Sequence, residues 1–487
     1  MNKKFILFAV ILTAFIVYTR LKFQAQYLYS WDSISFALSI EHFDMHLHQP
    51  HPPGYILYSY TIRLLNQLIG DPNRTMIYMN IAATIGTCYF LVRLVQVLCK
   101  SDIIAAGASA LYASNPVAIF YGSVAEIYAI EGFWVVLIAY LLLSSRKQPN
   151  RLPWASAAIA IAGGFRPTTE VLVLPLFIAC CFSHTKKTLM TAFAVLLIGN
   201  LLWFLPLVVK SGGFGSYFES VFGQSERAAE SASEAGEQVT WMKLLFRSIQ
   251  AITLPVLLAL LIRIHRVRFT KIEWLLLMAI LPSLFLFSFF SIPKDGYLLI
   301  LIPLLIAFAA AILSAVYASA RGQVAILLLA CMSSWLSFAM PIENHPVLAE
   351  FTKPNRYILQ SKMDRLNQFF QILDGLGGGR PKTFVLETRH FFPNWRTLMY
   401  YYPEDQVYLV WPSKKRAYLA YRHEYAPVGA PIRVAENTVL VAVGRSQPEI
   451  SMQPFQVQQY RYYFAEAHLL PTKFQLYSMK CLINREK

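Results

Sequence analysis

Apolar runs recur over the first 340 residues, parted by short polar loops, and this pattern predicts membrane helices rather than a water-soluble core. The runs fall at 4–20, 76–98, 102–121, 127–145, 153–165, 168–183, 188–209, 241–262, 272–291, 297–318 and 323–340. They amount to about eleven spans, of which 153–165 and 168–183 are half-length. A further apolar stretch, 54–70, is interrupted by Arg63, Asn66 and Gln67 and fits an amphipathic helix lying at the interface. Past residue 340 the pattern changes. Apolar positions at helical spacing predict a helix over 354–374, closed by GLGGGRP. Short β-prone runs follow at 383–387, 406–411 and 437–444, and the aromatic stretch 455–464 suggests an added hairpin. The expected fold class is a polytopic α-helical membrane protein over 1–340 with a C-terminal soluble α/β domain over 341–487.

Charge orients this arrangement. Only 14% of residues are charged, yet the net charge is +16. In a soluble protein that excess would point to nucleic acid. Here it sits largely in short loops: Lys3 and Lys4, Lys100, Arg146, Lys147, Arg151, Lys186, Lys187, Arg263, Arg266, Arg268 and Arg321. Loops of that kind stay cytoplasmic. The N-terminus is then inside, the C-terminus outside, and no nucleic-acid partner is expected. The N-terminal run lacks a small-residue cleavage site and reads as a retained first helix. Loops 21–75 and 210–240 fall outside, and the second, rich in Gly, Ser, Ala and Glu, is expected to be mobile. The six cysteines form no disulfide framework or metal pattern.

Polar chemistry is densest in Trp31–Tyr58, just after the first helix. Asp32, among aromatic residues, is a candidate general base, with a helix-capping role as the competing reading. His42 and His46, four apart, would share a helix face; without Cys partners or an HExxH pattern no metal centre is expected. His48 follows, and His51, Pro52, Pro53 and Gly54 form a stiff turn that aims His51. Glu126 opens a later helix, as a second acid or as a charge favoured by the helix dipole, and Glu131 deeper in that helix needs a partner. Arg166 lies between the two half-length helices, where its planar fork suits a phosphate. Lys294 and Asp295 read as an exposed pair that neutralises itself.

The order of these motifs resembles the GT-C glycosyltransferases, in particular protein O-mannosyltransferases and other family 39 enzymes. Asp32 stands early in the first outer loop, His51 to Tyr55 follow as HPPGY, and 125–129 reads AEIYA. A GGFRPT turn at 163–168 and a Tyr-led apolar run after Lys294, Asp295 and Gly296 complete the series. The resemblance implies transfer of a monosaccharide, mannose in the family's habit, from a polyprenyl-phosphate donor to an acceptor on the periplasmic or luminal side, with inversion. It implies Asp32 and Glu126 as catalytic acids, and Arg166, His51 and Lys294 on the donor phosphate. His48, Tyr55, Tyr128 and Tyr297 would contact substrate. The partners are the lipid-linked donor and a protein, lipid or glycan acceptor. No cofactor is expected: many members carry a second acid beside the Asp, but Ser33, Ile34 and Ser35 follow here, which disfavours a divalent metal. The expected location is a bacterial inner membrane. A transporter or flippase of lipid-linked sugars, and a glycan polymerase or ligase, stand as alternatives.

Overall fold

The computed structural model describes residues 3–223, 241–263, 265, 269–289, 294–342, 344, 349, 352–386, 393–411, 419–421, 427–428, 432–443, 451–458, 460–475 and 482–486. They divide into two compact units: Met1–Ala25 with Ser39–Leu359, and Gln26–Leu38 with Gln360–Lys487. The boundary thus falls later than the expected 340, and 26–38 leaves the first unit for the second.

The first unit is helical. Its elements run α1 (Lys3–Lys22), the end of α2 (Trp31–Glu41), α3 (Ile56–Ile69), α4 (Pro72–Cys99), α5 (Asp102–Ser114), α6 (Pro116–Gly122), α7 (Tyr128–Ser145), α8 (Arg151–Phe165), α9 (Pro167–Cys181) and α10 (Lys186–Lys210). Helices Trp241–Ile252, Leu254–Ile262, Lys271–Phe289, Ile302–Val316 and Ala320–Ala339 follow. Five described helices are long and apolar enough to cross a bilayer, or six when α5 and α6 count as one bent span. The chain is a multi-pass membrane protein.

Several runs that read as single spans are broken. Between α5 and α6 the axis bends by 58°. Asn115 causes it: its side chain accepts the N–H groups of Val117 and Ala118, and Pro116 starts a new helix. Thr253, at φ 69°, splits the run 241–262 into two helices, with Pro255 just inside the second. The run 297–318 opens as a tight 3-10 turn, Asp295–Ile300, before its α-helix. The stretch 54–70 forms α3, with Asp71 capping α4 directly after it. Of the expected mobile loop 210–240, residues 214–223 are helical and 224–240 lie outside the described residues.

Helix α7 is the centre of the bundle. It is 78% buried, against 22% for the apolar window of α10, and it packs on α4, α8 and α9. Uniform hydrophobicity around α7 follows from burial on all sides, while α10 shows an exposed apolar face of the kind lipid covers.

In the second unit the helix Arg356–Gly375 is followed by a seven-stranded mixed sheet, in the order β4-β3-β2-β1-β6-β8-β7. The strands are β1 (Lys382–Leu386), β2 (Gln406–Trp411), β3 (Leu419–Tyr421), β4 (Pro427–Val428), β6 (Val439–Val443), β7 (Gln453–Val457) and β8 (Tyr460–Glu466). β1 pairs in parallel with β2 and β6 and is buried along its length, as a central strand covered on both faces should be. β7 and β8 form the expected hairpin. A smaller sheet joins β5 (Ile432–Ala435), β10 (Leu482–Glu486) and β9 (Lys473–Gln475). The stretch 26–38 belongs here by its bonds. Tyr27 donates to Asn367 (3.0 Å), the Leu28 N–H donates to the Tyr401 hydroxyl (2.8 Å), and Trp31 meets Trp395 ring to ring (5.8 Å).

Phe369 carries much of the packing between this helix and the hairpin. It is fully buried against Tyr462 (5.0 Å) and Phe455 (6.3 Å). Phe369→Ala is expected to cost about 3–5 kcal/mol locally, the usual cost of emptying a buried aromatic site. Hydrogen exchange over Lys382–Leu386 should accelerate accordingly; unchanged exchange there would show that the helix does not stabilise the sheet.

Candidate active site

The densest buried polar group in the first unit gathers where α7, the α8–α9 break and the turn before Ile302–Val316 meet. α8 ends at Phe165 and α9 starts at Pro167, leaving Arg166 as the single extended residue between them. Proline can open a helix but restricts the residue before it to extended backbone, so the break is written in the sequence. Arg166 is 4% exposed. A guanidinium at that depth needs an anion, and Glu131, one turn into α7, supplies it: Arg166 Nη1 donates to Glu131 Oε2. Thr169, on the first turn of α9, donates to the other carboxylate oxygen at 3.0 Å.

Three tyrosines surround the same guanidinium. The rings of Tyr297, Tyr128 and Tyr55 lie 4.5, 5.2 and 6.0 Å from its central carbon. Their faces attract a cation without consuming its donors. Arg166 Nε has no hydrogen-bond partner among the described residues. The site therefore holds a positive charge whose donors are only partly used.

Each tyrosine is placed by a specific constraint. Tyr55 sits at φ 42°, a left-handed conformation that is costly for a bulky residue, between the proline turn and α3. His51 Nε2 lies 3.2 Å from its hydroxyl. Gly54, at φ 112°, precedes it, and a side chain there would meet Leu207 and Met45 within 2.7 Å. Tyr128 starts α7, and Gly296 lets the chain pass directly over its ring, where a Cβ would come within 2.3 Å. Tyr297 follows Gly296 and packs on Tyr128, with ring centroids 5.1 Å apart and the rings tilted by 48°.

A second ion pair flanks these rings. Lys294 Nζ lies 3.0 Å from Glu126 Oε1, with the lysine side chain 26% exposed and the glutamate 1%. The capping reading of Glu126 does not hold: Ile127 occupies the cap position of α7, and Glu126 spends its carboxylate on Lys294. Asn80, fully buried on α4, fixes the turn before it by donating to the carbonyls of Val124 (2.9 Å) and Glu126 (2.6 Å).

Three sequence expectations need correction. Lys294 and Asp295 do not neutralise each other, because each finds a more buried partner: Glu126 for the lysine, Arg247 at 3.0 Å for the aspartate. His42 and His46 share no helix face, because α2 stops at Glu41. There the Asp44 carboxylate accepts the N–H groups of His46 and Leu47, a local turn that competes with helix. Asp32 is not the cap of α2. Ser30 and Ser33 exchange backbone-to-hydroxyl bonds at 3.3 Å each, which caps the helix and leaves Asp32 in its first turn. His48 lies at φ 55° in the turn after Asp44, its N–H donating to Met45.

The first unit thus brings together Arg166, Tyr55, Tyr128, Tyr297 and His51, with Lys294 and Glu126 beside them; Asp32 belongs to the second unit. Glu131 and Thr169 were not among the expected site residues. The signal for Glu131 was present, since a carboxylate one turn into an apolar helix needs a cation.

Comparison with known proteins follows the same lines. Residues 42–190 match the family model of the protein O-mannosyl-transferase TMEM260 N-terminal domain, which is less than a third of the chain but includes Glu126, Glu131 and Arg166. Among solved structures, the chain resembles ArnT from Cupriavidus metallidurans bound to undecaprenyl phosphate, with a TM-score of 0.57, 11% identity, and coverage of 96% of this chain and 98% of that one. The apo form of the same protein matches with a TM-score of 0.54, 12% identity, and coverage of 95% and 98%. No curated protein sequence matches the chain. The family-model match covers the first part of the chain, and the likeness to ArnT is one of fold.

The ion pair predicts a pattern of stabilities. Glu131→Ala leaves the Arg166 charge buried alone and should cost about 3–5 kcal/mol, whereas Glu131→Leu with Arg166→Met, which removes both charges, should fold near normally. Thermal unfolding of the detergent-solubilised chain reads both. Equal destabilisation by the single and double changes would mean that the pair is not the source of the cost.

Proposed function

We propose that this chain is a membrane glycosyltransferase that moves a monosaccharide from a polyprenyl-phosphate donor to a hydroxyl of a protein, lipid or glycan acceptor, with inversion. One observation carries the proposal: a deeply buried arginine, caged by tyrosines at a helix break, with its Nε left over for an anion. The likeness in fold to a protein solved with undecaprenyl phosphate supports a phosphate on a polyprenyl chain as that anion.

The reaction is a single displacement. The acceptor oxygen attacks the anomeric carbon as the bond to the phosphate oxygen breaks, and the attacking hydroxyl gives up its proton. A polyprenyl phosphate is acidic enough to leave without a proton donor, so the leaving side needs cations. Arg166 provides the fixed one, and the partly exposed Lys294 provides one able to shift from Glu126 as charge develops. Tyr297, the partly exposed ring of the three, offers a face to the sugar, Tyr55 and Tyr128 line the guanidinium behind it, and His51 lies beside the Tyr55 hydroxyl. Asp32 takes the acceptor proton in this scheme. Its support is its place in the motif order and the finding that Ser30, not Asp32, caps α2. The basic loops support a C-terminus on the non-cytoplasmic side, the periplasm in a bacterial inner membrane.

Two substitutions test the two proposed roles separately. Arg166→Lys replaces a bidentate fork with a point charge and should weaken binding of a polyprenyl-phosphate sugar about tenfold or more, with Arg166→Ala weaker still. Equal donor affinity in Arg166→Ala, measured on folded protein, removes the phosphate role. Asp32→Asn keeps the shape and cannot accept a proton. It should retain donor binding and lose transfer by about 10²–10⁴-fold. Near-normal transfer in that variant would end the general-base assignment and leave Glu126 to be tested. Release of free polyprenyl phosphate during turnover separates transfer from mere translocation of the donor.

A further inference from the structure

After α10 the chain makes a Gly-Gly turn and enters a ten-residue helix over 214–223. This helix carries two different faces. Tyr217 is buried and Val221 packs beside it, both against the cluster of Met45, Ile56, Trp203 and Leu207. Ser216 and Ser220 lie 3.0 and 3.2 Å from the two ring nitrogens of His46. This face holds the 44–55 loop, the segment that ends in Tyr55.

The other face is a stripe of exposed phenylalanines. Phe214, Phe218 and Phe222 are 54%, 43% and 64% exposed. Spaced four apart, they occupy about 80° of the helix circumference. Gly215 and Glu219, exposed as well, lie beyond the stripe on the polar side. A stripe of three exposed phenylalanines in ten residues is unfavourable against water and needs a cover.

The chain itself indicates the cover. Phe214 meets Phe204 of α10 ring to ring at 6.2 Å, and on that helix Leu197, Leu201, Leu202, Leu205 and Val209 are 42–76% exposed. α10 is one of the bilayer-length helices. Its last residue, Lys210, lies 5.8 Å from the ring of the partly exposed Tyr60 on α3. A lysine and a tyrosine together mark the level at which a helix leaves the hydrocarbon. The phenylalanine helix begins four residues later, at that boundary.

We propose that the helix over 214–223 lies on the bilayer with Phe214, Phe218 and Phe222 among the lipid acyl chains, and that this anchor holds the 44–55 loop at the membrane surface. The occupant is the bulk lipid rather than another protein, because the stripe starts against Phe204 of a bilayer-length helix that is itself exposed and apolar. An amphipathic helix with its apolar face among headgroups and upper acyl chains has this design. The 44–55 loop, short of secondary structure of its own, gains a fixed height through Tyr217 and His46.

The test uses the full chain in vesicles of phosphatidylethanolamine and phosphatidylglycerol. Photoreactive benzoylphenylalanine replaces Phe214, Phe218 or Phe222 singly, a change that keeps an aromatic side chain, and Glu219 serves as the control position. Irradiation and mass spectrometry should yield phospholipid adducts at the three phenylalanine positions, at least tenfold above position 219. Crosslinks to this chain, dimers of it, adducts of added polyprenyl phosphate alone, or lipid adducts equal to those at 219 would each overturn the proposal. A second arm reads the loop. Phe218→Ser should raise the water accessibility of a nitroxide placed at Leu47, by about threefold, if the anchor sets the loop's height; no change there overturns that part.

Discussion

The first unit depends on the cost of placing a full positive charge inside an apolar helix bundle. An ion taken from water into such surroundings loses several kcal/mol of solvation even after relaxation, and a single partner seldom repays all of it. Arg166 meets this cost with three kinds of neighbour at once: the Glu131 carboxylate, the three tyrosine faces, and a position at the surface of a helix break rather than inside a helix. Much local geometry follows from that. α8 and α9 have to be two short helices so that one extended residue can turn inward. α7 has to lie inside the bundle so that Glu131 is within reach. Glycine has to stand at 296 because Tyr128 occupies the space a side chain would need.

How far the sequence disclosed this depends on the kind of signal. Helix ends set by proline and capping residues were legible, which is why the α8–α9 break and the helices α4 and α10 fall close to expectation. Broken spans were not, because Asn115 and Thr253 sit inside runs of unbroken hydrophobicity, and a hydropathy window averages across them. The β-prone runs past 380 became strands because each is short, apolar and bounded by turn residues. The 26–38 stretch was misassigned for a different reason. It follows a membrane helix directly, and only tertiary bonds to Asn367, Tyr401 and Trp395 show where it belongs.

For the site, composition and order identified the residue types, while pairing escaped. Lys294 and Asp295 are neighbours in sequence, and the simplest electrostatic reading joins them. Burial decides otherwise: Glu126 is fully buried and Arg247 nearly so, and a buried charge without a partner is costlier than an exposed pair is favourable. The histidines illustrate a related limit. Four-residue spacing implies a shared face only if a helix continues, and Asp44 ends it by taking the N–H groups that a further turn would need.

The two ion pairs of the site differ in a way that matters for the proposed transfer, in which a phosphate leaves. Arg166 and Glu131 are both about 5% exposed in their side chains, so their attraction is little screened and their geometry is fixed before any ligand arrives. Lys294 and Glu126 are unequal: the acid is buried while the lysine is a quarter exposed, on a flexible stem. A fixed cation stabilises charge without reorganisation, which is the efficient arrangement for a transition state. A movable cation can follow the oxygen as its bond breaks. The tyrosine faces make the combination workable. They stabilise the guanidinium electrostatically but accept none of its hydrogen bonds, so the pocket keeps a charged donor in reserve instead of spending it within the protein.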